Sequence, residues 1–156
     1  MHVIVAIDGS RQSLAAARHL KSFADPAKIS DISVLAVIRP LAAVAFADEI
    51  SGGTVDDDGD VRTFRESAEA AVSKVAAEFD GWGPKVHQRI RSGSPGTEII
   101  KAAKQLGAGL VVVASGGRGL SGTVLLGSTA QRVQHYAPCP VLVVRPTPRK
   151  PRRARS

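Results

Sequence analysis

Between Ala114 and Thr129 the chain reads A-S-G-G-R-G-L-S-G-T-V-L-L-G-S-T. These residue types suit an anion. Glycines let a backbone approach a phosphate closely, and a helix that begins at Gly127-Ser128-Thr129 offers unpaired N–H groups and a positive dipole end. Ser128 and Thr129 add hydroxyl donors, and Arg118 adds a positive charge. The competing reading is an ordinary loop whose Ser caps the next helix. No Gly-Lys-Ser/Thr of a P-loop occurs. A second short loop, Asp8-Gly9-Ser10, follows an apolar run near the N-terminus.

Other chemistry-bearing residues are less organised. His2, His19, His87 and His135 are scattered without metal-ligand spacing. Cys139 stands between Pro138 and Pro140 with no evident His partner, which reads as a small packed side chain. The run Asp56-Asp57-Asp58-Gly59-Asp60 lacks the spaced ligands and closing Glu of a calcium loop, so it reads as solvated loop. Trp82 reads as a packing residue near the start of a strand.

The elements that must position these residues alternate. His2 to Ile7 is a buried strand, and Ser10 or Ser13 caps a helix to about Phe23 with Leu14, Ala17, Leu20 and Lys21 at helical spacing. Ile32 to Ile38 is a second strand, stopped by Arg39-Pro40. Residues 41–60 have no clean period and read as loop, with a short helical start at LAAVAFA. Val61 to Phe79 is helical through Phe64, Ala68, Ala71, Val75 and Phe79. Val86 to Arg91 alternates as a third strand, and Thr97 to Leu106 is a helix closed by Gly107. Leu110 to Ala114 is a fourth strand, Ser128 to Tyr136 a helix and Val141 to Val144 a fifth strand. Strands that alternate with helices imply a parallel sheet covered on both faces, with ligands outside the carboxyl ends of the strands. Both loops named above lie there.

At 156 residues the chain is the size of one domain, and 44% apolar residues suffice for a core without disulfides. Aromatics are only 4%, so that core is built from Ala, Val, Leu and Ile. The single Cys139 excludes an intramolecular disulfide framework. No run matches a membrane span or a secretory leader, so the expected setting is cytoplasmic, without membrane insertion. Six of the seven net positive charges sit in residues 145–156, which contain no acid. We therefore expect a folded domain over 1–145 and a basic disordered tail over 146–156. That tail suits anionic partners, but it has no aromatic residue for base stacking.

Taken together, these residues resemble the universal stress protein family over residues 2–145. Its nucleotide-binding members carry Gly-x2-Gly-x9-Gly-Ser/Thr, and here Gly117, Gly127 and Ser128 meet the spacing. The openings VAIDGS and GSPGTEI and the close APCPVLVVR are also similar. Position 114 is the departure: Ala stands where the family has Gly. The methyl crowds a ligand unless the backbone there is strand-like.

The resemblance implies a single three-layer α/β domain with a five-stranded parallel sheet in the order 3-2-1-4-5. It implies ATP as ligand. Ala6, Ile7 and Asp8 are expected to line the nucleotide and Val37 to offer backbone groups to the adenine edge. Val113 and Ala114 are expected beneath the ribose, and Gly117, Arg118, Gly127, Ser128 and Thr129 around the phosphates. Asp8 is expected on the ribose hydroxyls or beside a phosphate-bound Mg²⁺. The implied function is a nucleotide-dependent regulator or sensor in the stress response, a homodimer through the fifth strand. Two alternatives accompany it: a weak ATPase or autophosphorylating enzyme with a loop Ser or Thr as acceptor, and an interaction module without nucleotide, favoured by Ala114. No catalytic residue is assigned.

Overall fold

Val3, Ile4 and Val5 are fully buried, and they form the middle of a sheet whose two faces are both covered. The computed structural model describes residues 1–40, 57–116 and 127–146. Five strands, β1 (His2–Ile7), β2 (Asp31–Ile38), β3 (Lys85–Ser92), β4 (Leu110–Ala114) and β5 (Val141–Val144), pair in parallel in the order β3-β2-β1-β4-β5. This is the expected order. One face packs Val3, Val5, Ile7, Ile32, Val34 and Val112 against α1 (Arg11–Phe23) and α2 (Asp57–Ala77). The other packs Ile4, Ala6, Leu35, Val111 and Val113 against α3 (Pro95–Leu106) and α4 (Ser128–Tyr136). Alternate residues of one strand thus serve opposite layers. Among the described residues no helix is long and apolar enough to cross a membrane.

The helix starts follow from local chemistry. Gly9 takes φ +81°, a left-handed conformation that favours glycine, so Asp8 Oδ1 accepts the Ser10 N–H at 2.9 Å. Ser10 then caps α1, its Oγ accepting the Ser13 N–H at 3.2 Å. Ser13, the other expected cap, is instead buried and donates its hydroxyl to the Ser10 carbonyl. At the end of α3, Gly107 adopts φ +60° and closes the helix as expected.

α2 departs from the sequence reading. It begins at Asp57, so Asp57, Asp58, Gly59 and Asp60 are helical rather than loop. The rest of the presumed loop, 41–56, with its LAAVAFA start, lies outside the described residues, as do 147–156 of the basic tail. Phe64 does not join the core: it is exposed, whereas Val72, Val75, Ala76 and Phe79 form the buried face. Trp82 packs against that core, its ring 5.8 Å from Phe79. Cys139 packs on the α3–α4 side, where burial raises its thiol pKa.

The outer strand β3 carries a polar set on the α3–α4 face. Register places His2 beside Asp31, and Ser33 beside His87. Ser33 is fully buried, and its Oγ accepts from Arg89 Nε at 2.9 Å. Its own hydroxyl proton is then available to His2 Nε2 at 2.8 Å, which requires a neutral imidazole. His87 Nε2 donates to Asp31 Oδ1 at 2.9 Å. Burial is the largest influence on His2 and lowers its pKa below 6.5. The Asp31 charge opposes this, and the His87 and Arg89 charges reinforce it. A lowered histidine stabilises the fold above the unfolded value of 6.5 and loses that contribution as pH falls through the folded one. Asp31, lowered chiefly by its bond from His87, gives way only at lower pH, as it falls from 3.8. We predict a falling thermal midpoint as pH drops from about 7.5 to about 5, with the fall reduced in His2→Gln. Parallel pH profiles for the two proteins would contradict this account.

Candidate functional site

Strand order reverses between β1 and β4, whose carboxyl ends diverge into α1 and toward α4. A parallel sheet leaves a crevice at such a point. Here it is a cleft of about 350 Å³. Its walls are Ala6, Ile7 and Asp8 from β1 and its loop, Val37 and Arg39 from the end of β2, Val113, Ala114 and Gly116 from the end of β4, Pro95 and Ile99 from α3, and Gly127 to Ala130 from α4. Ser13 completes it. The cleft therefore brings together Ala6, Ile7, Asp8, Val37, Val113, Ala114, Gly127, Ser128 and Thr129 from the expected set. Gly117 and Arg118 lie outside the described residues.

Backbone contact builds the α4 end of the cleft. Gly127 N–H donates to the Ser115 carbonyl at 2.6 Å. A Cβ on Gly127 would stand 3.3 Å from both Gly116 Cα and that carbonyl oxygen, so a side chain there pushes against backbone. Gly116 itself adopts φ +121°. The two glycines hold the start of α4 directly against the end of β4. Gly127 is the N-cap and has no side chain to cap this helix, so among the described residues its first N–H groups remain available beside the cleft. Ser115 Oγ is buried without a hydrogen-bond partner among the described residues. Uncapped donors at the helix start and the size of the cleft fit a phosphorylated ligand.

Ala114 answers the departure noted in the sequence. It is the last residue of β4, in register with Val144, so its backbone is strand-like. It also packs against the core cluster that includes Val112, beside Leu142 and Val144. Asp8 borders the cleft, but one of its oxygens is engaged by Ser10 N–H, so the turn reading holds alongside any ligand role. Among the described residues no cluster of three His, Cys, Asp or Glu is placed to hold a metal ion.

Sequence reasoning missed Ser13, Arg39, Pro95, Ile99, Gly116 and Ala130 as cleft residues. Arg39-Pro40 reads locally as a strand stop. Its position beside the β1 loop depends on β2 lying next to β1. Pro95 and Gly96 did carry a signal in GSPGTEI. A Cβ on Gly96 would press on the Arg132 side chain, its Cδ 2.7 Å away, so α3 and α4 approach closely there.

We predict that Ala114→Gly leaves ligand affinity unchanged and lowers stability by about 0.5–1 kcal/mol, the ordinary cost of glycine in a strand. Calorimetric titration with thermal melting checks both. Tighter binding in the glycine variant would show that the methyl crowds the ligand.

The profile of the Universal stress protein family matches residues 1–145. Universal stress protein MJ0531 of Methanocaldococcus jannaschii is 31% identical over 143 residues, covering 92% of this chain and 81% of its own length. The solved structure of protein MJ0577 superposes with a TM-score of 0.76 at 25% identity, covering 94% of this chain and 96% of that one. A family member from Arabidopsis thaliana, solved with AMP bound, shares the fold at a TM-score of 0.67 and 18% identity, covering 94% and 92%. With its sheet order, its cleft and this match over nearly its whole length, the chain belongs to the Universal stress protein family.

Proposed function

We propose that this protein binds ATP in the cleft between β1 and β4 and acts as a nucleotide-dependent regulator or sensor in the stress response. The observation that carries this reading is the uncapped start of α4 held against the end of β4. In this reading the N–H groups and hydroxyls of Ser128 and Thr129 take the phosphates, with Gly127 giving close approach. Gly117 and Arg118 join them from the adjoining segment. Val113 and Ala114 floor the ribose, Ala6 and Ile7 line its side, and Val37 meets the base. Asp8 takes ribose hydroxyls with its second oxygen or steadies a phosphate-bound Mg²⁺. The bound AMP of the Arabidopsis relative supports a nucleotide of this class.

Binding is favoured over turnover because the described cleft offers Asp8 as its one carboxylate and no histidine. The ligand then serves as a signal. Partners would sense the cleft through the loops at this end of the sheet.

Ser128→Asp separates phosphate binding from folding. A carboxylate at a helix N-terminus stabilises the helix by about 0.3–1 kcal/mol and repels phosphate from the same donors. We predict ATP affinity reduced by roughly tenfold or more, with an unchanged or raised thermal midpoint. Undiminished ATP binding would place the phosphates elsewhere.

The two free sheet edges support a homodimer through β5. β3 is an edge strand bearing Lys85, His87, Arg89 and Arg91, which resist pairing with a like strand. β5 is the opposite edge, four apolar residues all half-buried. Val111 N–H donates to the Pro140 carbonyl and Ser115 N–H to the Val144 carbonyl, so alternate residues of β5 serve β4. Val141 and Val143 then direct their backbone groups outward. Val143→Pro removes an outward N–H while sparing the inner ladder. We expect the wild type to sediment as a dimer at roughly ten micromolar and this variant as a monomer. A monomeric wild type would exclude the β5 dimer.

A further inference from the structure

We propose that Arg39 holds the base of the nucleotide, its guanidinium lying over the ring face of a purine set against Val37. The inference rests on the reading of the cleft as a nucleotide site and assigns its base contact to Arg39 of this chain.

The cleft crosses three neighbouring strands, from Ser128 and Thr129 beyond β4, past Asp8 after β1, to Val37 and Arg39 at the end of β2. At about 4.8 Å between strands, its two ends stand about 10 Å apart. The helix start at the β4 end offers the donors a phosphate needs. The β2 end therefore receives the other end of the ligand, the base. There the walls are apolar, with Val37 and Ile99, and Arg39 is the one cationic side chain lining the cleft among the described residues.

Arg39 is also uncommitted. It is exposed, and no hydrogen bond, ion pair or ring contact holds it among the described residues. Asp8 lines the same cleft, yet no ion pair joins the two. Arg39 borders a second cleft of about 400 Å³ on the opposite face, where Phe64, Ala68 and Ala71 supply apolar wall. It thus stands on the ridge between the two clefts, two residues beyond Val37. A planar cation beside an apolar wall makes a lid for an aromatic ring, attracted to the negative ring face.

The test is a calorimetric titration of the wild type, Arg39→Ala, Arg39→Gln and Ser128→Asp with ATP, adenosine and inorganic triphosphate. Arg39→Ala is expected to weaken ATP and adenosine by one common factor, about 2- to 30-fold, and to leave triphosphate unchanged. Arg39→Gln, planar but uncharged, should recover only part of that loss. Ser128→Asp should show the opposite pattern, weakening ATP and triphosphate while sparing adenosine. Weakened ATP and triphosphate with unchanged adenosine in Arg39→Ala would make Arg39 a phosphate contact and overturn the proposal. Three unchanged affinities would overturn it as well. A wild type that binds none of the three would refute the nucleotide reading itself, and this inference with it.

Discussion

The backbone of Gly127 lies on the backbone of Ser115 and Gly116, so close that a Cβ there would stand 3.3 Å from both. Much of the site depends on that contact. It brings the start of α4 to the end of β4, beside the point where the strand order reverses. Among the described residues it also leaves the first turn of α4 without a side-chain cap, because glycine is the capping residue. A helix start normally satisfies its donors with a Ser, Thr, Asp or Asn side chain. Here those donors face a cleft instead. The same parallel topology gathers the ends of β1 and β2 at this edge, so one packing constraint assembles walls from six elements.

The remainder of the fold keeps that arrangement rigid and its edges distinct. Alternate residues of β1 serve two separate apolar layers, and small Ala side chains at 16, 17, 102 and 103 let the helices approach closely. The two outer strands differ in chemistry. β3 carries basic side chains and a histidine and ties itself to β1 through the buried Ser33. β5 remains short and apolar. The cationic edge discourages association, while the apolar edge needs a cover. This asymmetry is the physical basis for proposing β5 as the edge of a dimer.

Much of the architecture is legible from residue patterns because the central strands are buried on both faces. Such strands read as unbroken Val and Ile runs, and β4, α4 and β5 begin and end where the pattern places them. The start of α2 is not legible in the same way. Asp57, Asp58 and Gly59 carry loop propensity, yet they fall within the helix. Long-range pairings were also hidden. His2 meets Ser33 across 31 residues, and Arg89 meets it across 56, through strand register alone. Arg39 was hidden for the same reason: apart from Val37, its neighbours in the cleft come from β1, β4 and the helices, none of them adjacent in sequence. The glycine spacing from Gly117 to Ser128 was readable, although Gly117 and Arg118 themselves lie outside the described residues. The consequence of Ala114 was not, because only the pairing with Val144 establishes a strand-like backbone there.

The central claim is that a nucleotide sits with its phosphates on the start of α4. Amide chemical shifts measured during an ATP titration of isotopically labelled protein test it most directly. The account predicts large changes at Gly127, Ser128 and Thr129, smaller ones at Val37, and none along β3 near His87. Saturating ATP that leaves the Gly127 to Thr129 amides unmoved, or that shifts only residues remote from the β1–β4 cleft, would contradict it.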